Sequence, residues 1–209
     1  MCAGALCLLS SVASGATVID FSIDASGNPL PPLTVIAEQY ASIGVHFIGS
    51  AFDEPGNPDD AFASNTDMRL TTAGGDVPVN AVIPAGVGNF LHTFSGFQAE
   101  DGDTNFAIVF DTPVTSVSID LYDDIAGLTQ MFAIEGDAIL DNTQSLDSDD
   151  AASQTISVSA AQGFTVVGLI LGSNIDWVGA DNLTFTTVPE PMSCLLIAAV
   201  IRRRRRRGP

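Results

Sequence analysis

The segment Asp101-Gly-Asp-Thr-Asn105 places oxygen donors at alternate positions, the spacing with which a calcium loop opens. Asp101, Asp103 and Asn105 are hard ligands of the type that calcium prefers. The pattern then leaves the EF-hand, which wants a glycine and later a glutamate where this chain has Phe106 and Thr112. A calcium loop of another kind and a solvated acidic turn both remain open. The same holds for the loop of Asp53, Glu54, Asp59 and Asp60 and for that of Asp147, Asp149 and Asp150. The two histidines lie far apart with no cysteine near, which is not a zinc spacing. His46, between Val45 and Phe47, is expected to face outward, whereas His92 shares a strand face with Phe90 and Phe94. No serine stands in a Gly-x-Ser-x-Gly elbow, and Gly74, Gly75, Gly86 and Gly88 follow no dinucleotide pattern. A glycosidase pair is defined by a carboxyl separation in space, which sequence does not supply. These residues therefore lead to the expectation of a protein without catalysis.

The charge balance narrows the partners. Of 25 acidic residues, 24 lie between Thr17 and Thr187, where Arg69 is the one base; lysine is absent throughout. Such a surface repels phosphate backbones and attracts cations, so nucleic-acid binding by this region is excluded. Without lysine there is neither a P-loop lysine nor a Schiff base. Hydrophobic residues make up 46% of the chain, too many for a disordered acidic segment. Cys2, Cys7 and Cys194 all lie in the end segments.

Strands must carry these side chains. Val117, Ile119 and Leu121 alternate with Ser118, Asp120 and Tyr122, as Phe106, Ile108 and Phe110 alternate with their neighbours, and Asp111-Thr-Pro113 reads as the break between two strands. Ile156 and Val158 alternate with serines, and Leu183 and Phe185 with Asn182, Thr184 and Thr186. Phe164-Thr-Val-Val-Gly-Leu-Ile-Leu171 is apolar on both faces and suits a central strand. Gln130 to Leu140 reads as a hairpin turning at Gly136-Asp137. Val35 to Ser42 has room for one or two helical turns. With turn signals at sandwich-like spacing, the expected fold is all-β, an antiparallel β-sandwich over residues 17–187, specifically a jelly roll.

The expected fold resembles carbohydrate-binding jelly rolls, in which a structural calcium often joins the first and last strands. That resemblance implies Asp20 and Asp181 as further ligands. Sugar binding would need exposed rings to stack on, and Trp177, Tyr122 and Tyr40 are the candidates.

The two ends read as addresses. MCAGALCLLSSVASGA is apolar and ends in small residues, the pattern of a signal peptide over 1–16, although no base precedes the apolar run. Met192 to Ile201 would run about 15 Å as a short apolar helix, half of the roughly 30 Å that a membrane core requires. Arginines at 202–207 would stay on the cytoplasmic side, so membrane contact is expected to be transient. The order of Val188, Pro189, Glu190 and Pro191, an apolar stretch, and Arg202, Arg203, Arg204, Arg205, Arg206 and Arg207 resembles the PEP-CTERM sorting signal of exported bacterial proteins. That resemblance covers residues 188–209 and implies cutting by an exosortase-type enzyme, after signal peptidase has acted on the other end. Asp181 to Phe185 also resembles the last strand of many proteins bearing this tag.

Together these features lead to the expectation of an exported protein, sorted to the cell surface or extracellular matrix, that binds extracellular polysaccharide with calcium and does no catalysis. A self-associating structural coat protein and a secreted hydrolase are the alternatives.

Overall fold

The computed structural model describes residues 15–32, 34–49, 68–72, 87–93, 105–122, 129–146, 153–170 and 178–189. Residues 1–14 of the N-terminal address and the helix expected over Met192–Ile201 lie outside these residues, as do Asp101, Asp103, Trp177 and the acidic loops around Asp53 and Asp147.

The described chain is all-β and antiparallel. Nine strands follow in order: β1 (Ala16–Ile19), β2 (Val45–Gly49), β3 (Met68–Thr72), β4 (Asn89–Thr93), β5 (Asn105–Tyr122), β6 (Gln130–Glu135), β7 (Ala138–Gln144), β8 (Gln154–Ile170) and β9 (Gly179–Thr187). They hydrogen-bond in the order β3-β4-β9-β5-β8-β6-β7, with β1 beside β9 and β2 beside β5.

Two strands are far longer than a typical one and hold the sheet together. The first part of β5 pairs with β2 and with the last part of β8, which also carries β6. The second part of β5 pairs with β9 and with the first part of β8. Between these parts the register slips around Val109 to Ser116, and β8 passes through Gly163 at φ 82°. Asp111-Thr-Pro113 is therefore a bulged corner within one strand, not the break that its turn residues indicated. A bulge bends a strand without ending it.

The alternation read in the sequence explains the core. Phe106, Ile108 and Phe110 from the first part of β5 and Val117, Ile119 and Leu121 from the second belong to one cluster with Val167, Leu169 and Phe185. Phe110 and Phe185 meet at 5.1 Å between ring centroids, joining β5 to β9 through side chains. Phe21 lies just past β1, edge-on to Tyr40 and Phe47, and takes a φ of 56°, which the surrounding packing over-determines. The Gly136-Asp137 turn stands where it was expected, between β6 and β7. The helical turns expected over Val35–Ser42 reduce to a single 3-10 turn at Ala41–Ile43, closed by Gly44 in the left-handed region. Among the described residues no helix is long and apolar enough to cross a membrane.

Candidate functional site

A cleft of about 410 Å³ opens where β1 ends beside β9, lined by Asp20, Ser22, Val87, Gly88, Tyr122, Asp181 and Asn182. Antiparallel pairing of β1 with β9 brings the two acids together: Ile19 opposes Leu183, which places Asp20 and Asp181 just beyond the same end of the ladder. The register of β9 against β5 slips between Ser118 and Asp120, and Asn182 takes a φ of 50°. Asparagine tolerates that left-handed conformation better than most residues. The slip turns Asp181 inward, to 5% exposure, and leaves Asn182 half-buried beside it.

The polar groups form a connected set. Asp181 accepts the Asn182 backbone N–H on Oδ1 at 2.7 Å and the Tyr122 hydroxyl on Oδ2 at 3.2 Å. Asn182 donates its amide to Asp120 Oδ2 at 3.0 Å, and Thr155 donates its hydroxyl to Asp120 Oδ1 at 2.5 Å. Asp20 accepts the Ser22 backbone N–H at 3.0 Å.

Burial pushes the Asp181 carboxyl up to about 6; the bonds from Asn182 and Tyr122 oppose this, and the charges of Asp20 and Asp120 add to it. Burial, together with the charge and hydrogen bond of Asp181, pushes the Tyr122 hydroxyl well above its usual range. Burial and the charges of Asp20, Asp24 and Asp181 do the same for Tyr40. The cleft thus concentrates negative charge, and among the described residues its lining has no basic side chain, an environment that favours a cation or a hydrogen-bond donor.

The structure brings Asp20 and Asp181 into this one cleft. Asn105 begins β5, and its side chain lies outside the described set along with Asp101 and Asp103. Among the described residues no group of three or more His, Cys, Asp and Glu side chains is placed to hold a metal ion. Tyr122 departs from expectation: its ring is buried at 4%, edge-on to Phe90 at 5.8 Å, so only its hydroxyl serves the cleft. Although it shares strand parity with the exposed face of β5, Phe90 of β4 packs against it there. Tyr40 is likewise 3% exposed and donates its hydroxyl to the Ile23 carbonyl at 2.8 Å. Sequence reading overlooked Asp120, which opposes Asp181 from β5, and Asn182, which follows Asp181 on β9.

His46 faces outward as expected and ties two elements. Its Nδ1 lies 2.8 Å from Glu38 and its Nε2 3.2 Å from Asp111. The hydrogen bond to Glu38 leads in raising its pKa, partial burial opposes it, and Asp111 assists. Stability from this group is fully present below the unfolded histidine value and is lost as pH rises through the higher folded one. His46→Gln is expected to flatten that part of the stability profile, measured by chemical unfolding between pH 5 and 9. An unchanged profile would remove the clamp.

No family model matches the chain, and no curated protein matches it. Among solved structures it is similar to the K2 cleaved adhesin domain of Lys-gingipain, with TM-score 0.48 and 12% identity over 83% of this chain and 100% of that one. The Stig cyclase Fisc from Fischerella sp. TAU gives TM-score 0.43 and 16% identity over 83% and 99%. A mutant of the family 29 carbohydrate-binding module CBM29-2 gives 0.38 and 12% over 86% and 100%. Likeness at this level does not bear on the chemistry of the cleft.

Proposed function

We propose that this is an exported, non-catalytic polysaccharide-binding protein, and that calcium held in the cleft takes part in binding. The doubled-over sheet is read as a jelly-roll sandwich whose first and last long-range neighbours, β1 and β9, would be joined by the ion. One observation carries the reading: Asp20 and Asp181, from opposite ends of the described chain, meet in one cleft with no base among its described lining residues. Calcium takes six to eight oxygen ligands, including carbonyls, amide oxygens and water, so two carboxylates suffice if other oxygens complete the shell. Sugar hydroxyls are suitable completing ligands, and the polar lining offers them further hydrogen bonds. In this reading signal peptidase removes the N-terminal segment, and an exosortase-type enzyme acts near Pro189-Glu190-Pro191.

The test is a glycan array at neutral pH with calcium and with chelator. Chelation is expected to weaken binding at least about tenfold, as is Asp20→Asn, the range for loss of a metal-site partner. Flat signals on all glycans in both conditions would overturn the reading. Tyr122→Phe keeps the ring contact with Phe90 and removes the hydroxyl. Its expected cost in stability is about 1 kcal/mol, the size of one net hydrogen bond, measured by thermal unfolding.

A further inference from the structure

Where β9 passes the cleft it contains one residue more than its partner strand. Ser118 opposes Thr184 and Asp120 opposes Asp181, so Asn182 and Leu183 together stand across from the single Ile119. This is a β-bulge. It lies where β9 exchanges one neighbour for another, since β1 pairs as far as Leu183 and β4 pairs at Ala180. The bulge decides where the next side chain points. On an unbroken strand Asp181 would share a face with Leu183 and Phe185, both in the main core, and Ala180 would face the other way. In the folded chain Ala180 lies in that core, and Asp181 meets Tyr122 on the other face, opposite Asp120. One extra residue therefore puts a carboxyl at the cleft in place of an alanine. Bulges re-aim side chains in this way beside functional sites.

A bulge residue in the left-handed region is ordinarily glycine. Here it is Asn182, at φ 50°. Two bonds hold it there. Its backbone N–H donates to Asp181 Oδ1 at 2.7 Å, and its side-chain amide donates to Asp120 Oδ2 at 3.0 Å. Asp120 is fixed in turn, because the Thr155 hydroxyl donates to its Oδ1 at 2.5 Å. Thr155 opposes Asp120 from β8, so the bonds run across three strands, β8, β5 and β9. Asn182 lines the cleft, whereas Asp120 and Thr155 do not. Both Asp120 oxygens accept from the flanking strands.

We propose that Asp120 is a positioning residue: tied to Thr155, it latches Asn182 in the bulge and so aims Asp181 into the cleft. The latch is independent of what the cleft binds; its consequence for calcium rests on the function proposed above.

NMR spectra of the metal-free full chain test the latch itself. In the parent, Asn182 should show the Cα shift of a left-handed residue within a strand, and the Asp181 β-protons should give cross-peaks to the Tyr122 ring. Asp120→Ala is expected to move that shift toward the strand range and to lose most of the cross-peak intensity, while Met131 and Ala133 on β6 keep their positions. Thr155→Val, which leaves every acid in place, should produce part of the same loss. Adding Asn182→Gly to Asp120→Ala should restore the cross-peaks, because glycine takes the left-handed conformation unaided. Unchanged signals in Asp120→Ala overturn the proposal, and so does a failure of glycine to restore them. Calcium is then titrated at pH 7 into Asp120→Ala with and without Asn182→Gly. Both lack the same charge, so the difference isolates the aim of Asp181, and the double variant should bind about tenfold tighter. Equal affinities, with calcium bound by the parent, would overturn the proposal. A parent that binds no calcium while the spectra change as expected would overturn the proposed function and uphold the latch.

Discussion

Replacing Gly163 with alanine is expected to destabilise the protein by about 2–4 kcal/mol, combining the cost of a left-handed backbone with that of overpacking. Gly163 stands at φ 82° where β8 passes from one half of the sheet to the other. A Cβ there would lie 2.7 Å from Val188 Cγ2 and 3.1 Å from Pro113 Cβ. Both neighbours are held, because the Val188 N–H donates to the Pro113 carbonyl. Gly136→Ala is the matched control. It also has a positive φ, 58°, but nothing within 4 Å of its added Cβ, so only the backbone cost of about 1–2 kcal/mol should appear. Denaturant unfolding of the two variants separates strain from collision. Equal losses would show that the corner is not packed as described.

Asp181 should make the protein less stable as pH rises, the reverse of an ordinary surface carboxylate. Its folded pKa of about 6 lies above the ordinary aspartate value of 3.8. Below the lower value the group is protonated in both states and contributes no difference. Between the two the unfolded chain ionises first, and above pH 6 the full cost of about 3 kcal/mol is present. Asp181→Asn removes this titration. At pH 7 the variant should gain about 1–2 kcal/mol, because a weakened bond to Tyr122 or Asn182 offsets part of the relief. The gain should shrink toward pH 4, where the variant becomes the less stable protein. Calcium supplies the same relief by a different route. Under the proposed function it should raise the melting temperature of the parent at pH 7, have little effect at pH 4, and have little effect on Asp181→Asn at either pH. A variant that tracks the parent at every pH would end this account of the cleft.

The strand alternation was legible because burial imposes a period of two directly on residue type. Val117, Ile119 and Leu121 could be placed inward without any partner strand in view, and the two-sided apolar run of β8 identified its central position. The corner at Asp111–Pro113 was misread because a bulge and a chain break draw on the same residues, and only pairing to β8 and β9 distinguishes them. Tyr122 was misread for a related reason. Its parity pointed outward, but exposure depends on what another strand brings over it, and Phe90 of β4 lies 32 residues away in the chain.

What the sequence determined by itself was local or additive: the all-β class, the hairpin at Gly136, the outward His46, and a large excess of acidic residues. These follow from each residue's own side chain or from its immediate neighbours. Only the tertiary structure decided that Asp20 and Asp181 share one cleft and that burial raises the pKa of Asp181. Those properties depend on strand order and register. Hydrogen bonds between backbones set both, and backbones are alike in every residue, so they leave little trace in residue type.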